Sequence, residues 1–342
     1  MARLLFGLLA ALLLAGCGRP QLHSEESYVF GTRVEVLVWG EPEDKARAAV
    51  GEVLQEFDRL HHAYHAWQPS ELTALNDAIA EGSPLAVSPE LADLIRDSQA
   101  VAAKGDYLFD PGVGRLVELW GFHNDEFKAQ LPDRAKLEEV IRAHPSIRDI
   151  SVDGLTVRSS NRAVALDFGG YLKGVALDRA AAILRAKGVR NALVNIGGNV
   201  MALGAKGDTP WRVGIQNPRS PSPLATLDLR DGEAIGTSGD YQRFFELDGR
   251  RYSHLIDPRT GWPAEGTEAV TILIPSGDHA GMWSDAASKP LFIAGDAWQA
   301  QARNLGIGQA LRVDGQGRIQ VTAAFKQRLK FEPADIAVQV LP

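Results

Sequence analysis

The chain predicts an α+β fold with antiparallel or mixed sheets and helices packed on them. Helical and strand-like segments alternate irregularly, and the carboxyl-terminal half carries several strand-like runs with no helix between them. Hydrophobic residues make up 45% and charged residues 23% of the 342, as in an ordinary globular protein. This pattern disfavours a doubly wound dinucleotide fold. The length predicts two lobes that share one cleft, because single cores of this size begin to divide.

The helices are predicted from apolar spacing and from end signals. Glu43–His61 carries apolar residues at helical spacing. Ser88 and Pro89 are the cap and the first position of a second helix, which stops at Gly105. A third helix is expected over Gly174–Lys187.

Strands are expected where short runs alternate apolar and polar residues or are continuously apolar. Tyr28–Trp39 is predicted to be one half-buried strand. The other predicted strands are Ile150–Val152, Leu155–Arg158, Ala163–Asp167, Asn191–Ile196, Trp211–Gln216, Ala225–Leu229, Glu233–Thr237, Tyr241–Leu247, Arg251–Ile256 and Ala269–Ile274.

The amino terminus predicts export. Arg3 precedes the apolar run LLFGLLAALLLA, which suits a signal peptide better than a permanent membrane helix. The run ends in LAGC, which is similar to the lipobox of bacterial lipoproteins, where Cys17 would be acylated. The alternative is an ordinary secretory signal with a chance cysteine.

We therefore expect a lipoprotein signal peptide over residues 1–16, a tether over 17–27 and a folded domain over 28–342. The expected location is the bacterial cell envelope, facing the periplasm and anchored through Cys17. Because Cys17 is the only cysteine, no internal disulfide forms. A formal charge of −7 disfavours a general affinity for nucleic acid, so a phosphate-bearing ligand needs a locally built site.

The segment Ala234–Pro263 concentrates glycine turns and hydrogen-bonding side chains, which a bound polar ligand explains better than packing alone. Thr237–Gly239 is a candidate contact for a phosphate or a ring edge. His254 is either a proton-transfer group or a structural histidine. Asp257 and Arg259 are expected to brace either each other or the ligand.

Three further blocks carry candidate chemistry. Asp167–Gly174 joins a strand end to a helix through two glycines, which is either an anion site with Lys173 as its cation or a tight connection. Asn195–Gly198 is either a close approach to a flat ligand or a hairpin turn. Asp285 and Lys289, four residues apart on a helix, form either a salt bridge or a charged site wall.

Taken together and in this order, the blocks resemble the ApbE family of flavin transferases. That family shows DLGG-x-x-KG, an Asp in the next helix, N-x-GG, TSG, H-x-x-DP-x-TG and D-A-x-x-T. The matching positions here are Asp167–Gly174, Asp178, Asn195–Gly198, Thr237–Gly239, His254–Gly261 and the segment that starts at Asp285. The resemblance covers nearly the whole mature chain.

The resemblance implies a two-lobed ApbE-like fold with a flavin cleft between the lobes, and FAD as substrate. It implies transfer of FMN from FAD to a threonine hydroxyl of a target protein, with a phosphoester formed and AMP released. The implied FAD contacts are Gly169, Gly170, Lys173, Asp178, Gly197, Gly198, Thr237, Ser238, Gly239, His254 and Asp257.

The resemblance also implies roles. His254 is expected to assist deprotonation of the threonine, and Lys173 to offset phosphoryl charge. Asp285 is expected to hold Mg²⁺ together with a carbonyl near Gly170. Lys289 stands where the family has a metal-binding threonine, and a protonated ammonium cannot ligate a metal ion. We therefore expect reduced or altered Mg²⁺ dependence.

By the same resemblance, the expected acceptor is an exported or membrane-facing flavoprotein subunit. Candidates are subunits of sodium-pumping NADH:quinone reductase (Nqr), of the Rnf complex, or the membrane regulator of nitrous oxide reduction. Two other functions remain open. One is an FAD pyrophosphatase that uses water in place of threonine, and the other is a periplasmic lipoprotein that binds FAD without chemistry.

Overall fold

The computed structural model describes residues 21–124 and 126–341. The strands are β1 (Leu22–Val29), β2 (Thr32–Trp39), β3 (Leu85–Ala86), β4 (Ile150–Asp153), β5 (Thr156–Ser159), β6 (Ala192–Ile196), β7 (Asn199–Leu203), β8 (Trp211–Gln216), β9 (Pro223–Leu229), β10 (Ala234–Gly239), β11 (Phe244–Leu247), β12 (Arg250–Ser253), β13 (Ile256–Asp257), β14 (Trp262–Pro263), β15 (Thr267–Ile274), β16 (Ala310–Asp314), β17 (Ile319–Thr322), β18 (Lys330–Phe331) and β19 (Val338–Leu341). The α-helices are α1 (Glu43–Ala63), α2 (Glu71–Glu81), α3 (Pro89–Lys104), α4 (Gly114–Leu119), α5 (Arg134–Ala143), α6 (Leu172–Ala186), α7 (Ala280–Ala286), α8 (Ser288–Ile293), α9 (Trp298–Leu305) and α10 (Ala323–Lys326).

A nine-stranded sheet with the order β1-β2-β6-β7-β10-β15-β16-β17-β19 organises the fold. Its neighbours pair antiparallel, except that β17 and β19 run parallel. Four smaller units are the three-stranded sheets β18-β9-β8 and β3-β5-β4 and the two-stranded pairs β11-β12 and β13-β14. The predicted α+β class with antiparallel and mixed sheets is therefore confirmed.

Both faces of the large sheet are covered, which explains why its central strands are almost continuously apolar. On one face, Val34, Val36 and Val38 of β2 belong to the same buried cluster as residues of α1 and α6. On the other face, Val200 and Ala202 of β7 pack with the β18-β9-β8 sheet. The site described below lies at one end of this sheet.

The first strand differs from its prediction. The predicted single strand Tyr28–Trp39 is a hairpin, in which β1 pairs with β2 from Leu22 opposite Trp39 to Val29 opposite Thr32. Phe30 and Gly31 turn the chain with φ of 57° and 67°. The predicted tether over 17–27 is thus wrong from residue 22 onward. The polar residues of β1 suit a strand at the sheet edge, where most of its side chains are exposed.

The second predicted helix is confirmed in detail as α3. The Ser88 hydroxyl accepts the Leu91 N–H, Pro89 is the first helical residue, and Gly105 ends the helix. The hydroxyl satisfies an N–H that has no partner within the helix.

The predicted strand Ala163–Asp167 is wrong. It is an irregular segment with one isolated bridge, between Ala165 and Val113. The side-chain amide of Asn76 donates to the Leu166 carbonyl at 2.9 Å and accepts the Leu166 N–H at 2.7 Å. One asparagine therefore satisfies the backbone groups that a neighbouring strand would otherwise bond.

The predicted signal peptide over residues 1–16 and Cys17 lie outside the described residues. Within the described ranges, none of the helices combines the length and apolar character needed to cross a bilayer.

Candidate active site

A cavity of about 650 Å³ opens at the end of the large sheet, between the β1–β2 turn, the start of α6 and the segment around His254. Its size is in the range of sites that take cofactors and substrates. It brings together, from separate parts of the chain, Gly169, Gly170, Lys173, Gly197, Thr237, Ser238, His254, Asp285 and Lys289.

The turn that leads into α6 forms one wall. The Asp167 carboxylate accepts the Gly169 N–H at 2.7 Å, and Lys173 Nζ donates to the Gly169 carbonyl at 3.0 Å. Burial raises the pKa of Asp167, although Arg243 and Lys173 oppose this shift. The turn is thus held by its own side chains, and Lys173 lines the cavity.

Asp285 and Lys289 form a buried ion pair on the same wall. Lys289 Nζ lies 2.7 Å from Asp285 Oδ1 and 2.8 Å from the Asp285 carbonyl oxygen. The other carboxylate oxygen accepts the Gly174 N–H at 3.0 Å. Burial alone would raise the pKa of Asp285, but Lys173, Lys289 and this N–H together lower it to about 2. Asp285 is therefore an anion with both oxygens engaged.

Lys289 lies across Gly170. A Cβ at residue 170 would stand 2.7 Å from Lys289 Cε, so the end of the lysine side chain would have to move aside. Glycine at residue 170 therefore lets Lys289 take this position.

His254 is half-buried and also lines the cavity. Its Nδ1 is 3.2 Å from the Arg243 carbonyl oxygen. Since a carbonyl only accepts, Nδ1 carries the hydrogen and Nε2 holds the free lone pair. Burial, followed by the positive charges of Arg243 and Lys173, lowers the pKa of His254 to about 3. The imidazole is therefore neutral near pH 7.

Two hydroxyl groups of β10 form side-chain hydrogen bonds with neighbouring elements. Thr237 Oγ1 lies 2.9 Å from Thr271 Oγ1, and Ser238 Oγ lies 2.7 Å from Ser288 Oγ. Ser288 in turn donates to the Asp285 carbonyl at 2.8 Å. The Ser238 link thus fixes β10 to the start of α8, which carries Lys289.

The β6–β7 turn contributes Gly197, which has a φ of 58° and faces the cavity. A Cβ at Gly197 would come within 2.6 Å of the Thr32 hydroxyl. Gly198 has a φ of 93° and donates its N–H to Asn195 Oδ1 at 3.0 Å. This paired-glycine turn is therefore also a tight hairpin.

The residues at Asp285 do not fit a Mg²⁺ ion in this arrangement. Mg²⁺ requires oxygen ligands at about 2.1 Å, and an ion bonded to Asp285 would stand beside the Lys289 ammonium on Oδ1, which repels it, while Oδ2 already accepts the Gly174 N–H. In the described part of the chain, no group of three or more His, Cys, Asp or Glu side chains is arranged to hold a metal ion.

Comparison with known proteins shows the family of this chain. A family model described as the ApbE family matches residues 30–310. The chain belongs to the ApbE family.

An FAD:protein FMN transferase of Rhodobacter capsulatus is 42% identical over 98% of this chain, which spans 65% of that relative. One from Treponema pallidum is 32% identical over 82% of this chain and 81% of its own. The crystal structure of the ApbE protein of Thermotoga maritima has a TM-score of 0.82, with 32% identity over 90% of this chain and 99% of its own. These matches support FMN transfer from FAD to a target protein as the activity of this ApbE chain.

Two of the predicted FAD contacts, Asp178 and Asp257, do not line the cavity of this ApbE chain. The Asp178 carboxylate accepts the N–H groups of Gly281 and Met282, both at 2.8 Å, and so caps α7. Asp257 binds the Arg259 guanidinium at 2.7 Å and does not line the cavity. Of the two alternatives for Asp257, the structure shows the mutual brace with Arg259. Both carboxylates therefore stabilise segments next to the cavity and are not cavity-lining groups themselves.

Gly198 and Gly239, predicted as further FAD contacts, also do not line the cavity. A Cβ at Gly239 would stand 2.3 Å from the Tyr241 ring, so packing of that ring requires the glycine.

Sequence reasoning missed several cavity residues. Arg243 donates to the carbonyls of Phe122 and Asn124 at 3.0 and 2.9 Å and lines the cavity. Trp67 and His123 form another part of the wall, with ring centroids 5.4 Å apart. Arg243 lies inside Ala234–Pro263 and could have been found there, whereas the other two come from segments without a chemical pattern.

Proposed function

We propose that this ApbE protein transfers FMN from FAD to a threonine hydroxyl of a target flavoprotein subunit. The threonine oxygen bonds to the phosphorus on the FMN side, the bond to the bridging oxygen breaks, and AMP leaves with that oxygen. The observation that carries the proposal is that Lys173, Lys289 and Arg243 share one cavity with a neutral His254. Fixed cations stabilise the charge that develops on a pyrophosphate as it is cleaved.

His254 accepts the threonine proton at Nε2. Its Nδ1–H is held by the Arg243 carbonyl, so the lone pair of Nε2 is the one available. The cations that lower the pKa of His254 are the ones that a bound diphosphate would neutralise. FAD binding therefore raises the pKa of His254 and makes it a better base when the substrate is present.

Mg²⁺ has no step in this proposal, because the Lys289 ammonium and the Gly174 N–H engage the two carboxylate oxygens of Asp285.

The proposed location is the cell envelope, facing the periplasm, with a lipid anchor at Cys17. The LAGC segment supports this, and β1 begins only five residues after Cys17. Tyr28 of β1 and Phe30 of the turn line the cavity, at the end of β1 that lies away from Cys17. A membrane-facing redox subunit of the Nqr, Rnf or nitrous oxide regulator type suits this placement. Cys17→Ser should abolish palmitate labelling and release the protein from membranes.

Mass spectrometry of an acceptor domain incubated with FAD and the purified chain tests the proposed reaction. We expect the acceptor to gain the mass of one esterified FMN, and an acceptor with its threonine replaced by valine to gain none. AMP release without modification would instead show a pyrophosphatase. Tight binding of intact FAD without either product would show a flavin-binding protein.

A further inference from the structure

We propose that the Lys289 ammonium takes the place of a divalent cation in this site, so that the FAD pyrophosphate is bound against a cation carried by the chain. This inference rests on the proposed function, because it concerns how that reaction is supported. It assigns to Lys289 a direct contact with a substrate phosphate.

The first support is the set of donors that already contact the Asp285 carboxylate. Lys289 Nζ contacts both Oδ1 and the main-chain oxygen of Asp285, and the Gly174 N–H takes Oδ2. The Asp285 side chain is 2% exposed and that of Lys289 is 12% exposed. A metal ion bonded to Oδ1 would stand next to a buried ammonium, and the two positive charges would repel each other.

The second support is the fixed position of the lysine stem. Gly170 leaves just enough room for Cε and Cδ, which lie 2.7 and 3.1 Å from the place of an added Cβ. Asp285 and a carbonyl near Gly170 are also the groups that the family resemblance implied for a metal ion. The Lys289 side chain passes over Gly170 and places its ammonium against Asp285.

The third support is the donor count. An ammonium has three N–H donors and no acceptor, and two of them go to Asp285. Lys289 also lines the cavity, together with Lys173. The third donor is therefore available to a phosphate oxygen, with which lysine interacts as a compact point charge.

A covalently attached cation cannot be removed by a chelator. We therefore expect FMN transfer to proceed in EDTA at a rate within about twofold of the rate in Mg²⁺. Lys289→Thr removes the cation and frees a carboxylate oxygen for a metal, so transfer should fall about 100-fold in EDTA and recover with Mg²⁺. Lys289→Met also removes the cation but supplies no oxygen ligand, so it should lose transfer in EDTA and recover less with Mg²⁺ than Lys289→Thr does.

Metal binding without FAD gives a readout that does not depend on activity. Titration with Mn²⁺, followed by electron paramagnetic resonance, should show no bound ion in the wild type and one in Lys289→Thr. Lys136→Thr, at an exposed position of α5, is the matched control and should behave as wild type. Thermal unfolding of each variant establishes that it is folded.

The inference is overturned if wild-type protein binds one Mn²⁺ that Asp285→Asn abolishes, or if EDTA stops transfer. Gly170→Ala is a second test of the role of Lys289. The added Cβ displaces the Lys289 side chain but leaves its charge in place. It should lower transfer in EDTA, and wild-type transfer in this variant would also contradict the inference. Absence of transfer by wild-type protein under every condition would refute the proposed function, while the Mn²⁺ titration would still decide the role of Lys289.

Discussion

Gly174 of α6 and Gly281 of α7 face each other at a helix crossing that leaves no room for a side chain on either. A Cβ on Gly174 would lie 2.5 Å from the Gly281 carbonyl oxygen, and one on Gly281 would lie 2.6 Å from the Gly174 carbonyl oxygen. This close approach lets the Gly174 N–H reach Asp285. The position of the charged site wall thus depends on backbone contact between two helices.

Gly281→Ala is expected to lower the free energy of unfolding by about 1–3 kcal/mol, because the added methyl group overpacks the crossing. Urea unfolding measures this. Gly277→Ala is the matched control, since a Cβ there meets nothing within 4 Å. Equal stability of the two variants would contradict the tight crossing.

Asp178→Ala is expected to lower the free energy of unfolding by about 1–2 kcal/mol, because the Gly281 and Met282 N–H groups lose their acceptor. Its dissociation constant for FAD should stay within about twofold of wild type. Urea unfolding and flavin fluorescence titration measure the two quantities. Unchanged stability with weakened FAD binding would instead make Asp178 a ligand contact.

Removal of β1 tests the corrected domain boundary. A chain that starts at Gln21 should unfold and bind FAD as the full mature chain does. A chain that starts at Tyr28 loses most of the β1–β2 pairing, and we expect a loss of about 2–4 kcal/mol from the broken backbone bonds. Chemical denaturation of both chains measures this, and equal stability would restore the tether up to residue 27.

The lowered pKa of His254 predicts a pH dependence of stability. Between about pH 6.5 and about pH 3, the unfolded chain binds a proton that folded His254 does not. The free energy of unfolding should therefore decrease as the pH falls through this window, by up to about 1.4 kcal/mol per pH unit from this group. His254→Asn, whose amide can still donate to the Arg243 carbonyl, should show a shallower dependence between pH 6 and pH 5.

With FAD bound, the wild type should lose less stability over this pH interval, because the diphosphate offsets the cations near His254. The same denaturation series with saturating FAD measures this. Identical slopes for wild type and His254→Asn without FAD would show that His254 is not desolvated as described.

Local patterns predicted much of the fold. Ser88 and Pro89 placed the start of α3 because a cap and a first-turn proline act within a few residues. The strand predicted at Ala163–Asp167 failed because Asn76, far away in the sequence, satisfies the backbone at Leu166. A partner at that separation leaves no trace in local periodicity.

The sequence by itself determined the class of the fold, the family resemblance and part of the residue set in the cavity, since these follow from short motifs and their order. Only the tertiary structure decided how each carboxylate is used: Asp285 faces the cavity with Lys289, whereas Asp178 caps a helix and Asp257 braces a turn. The three are chemically the same group. What separates them is the set of donors that the fold brings within about 3 Å, because a hydrogen bond acts only over that distance.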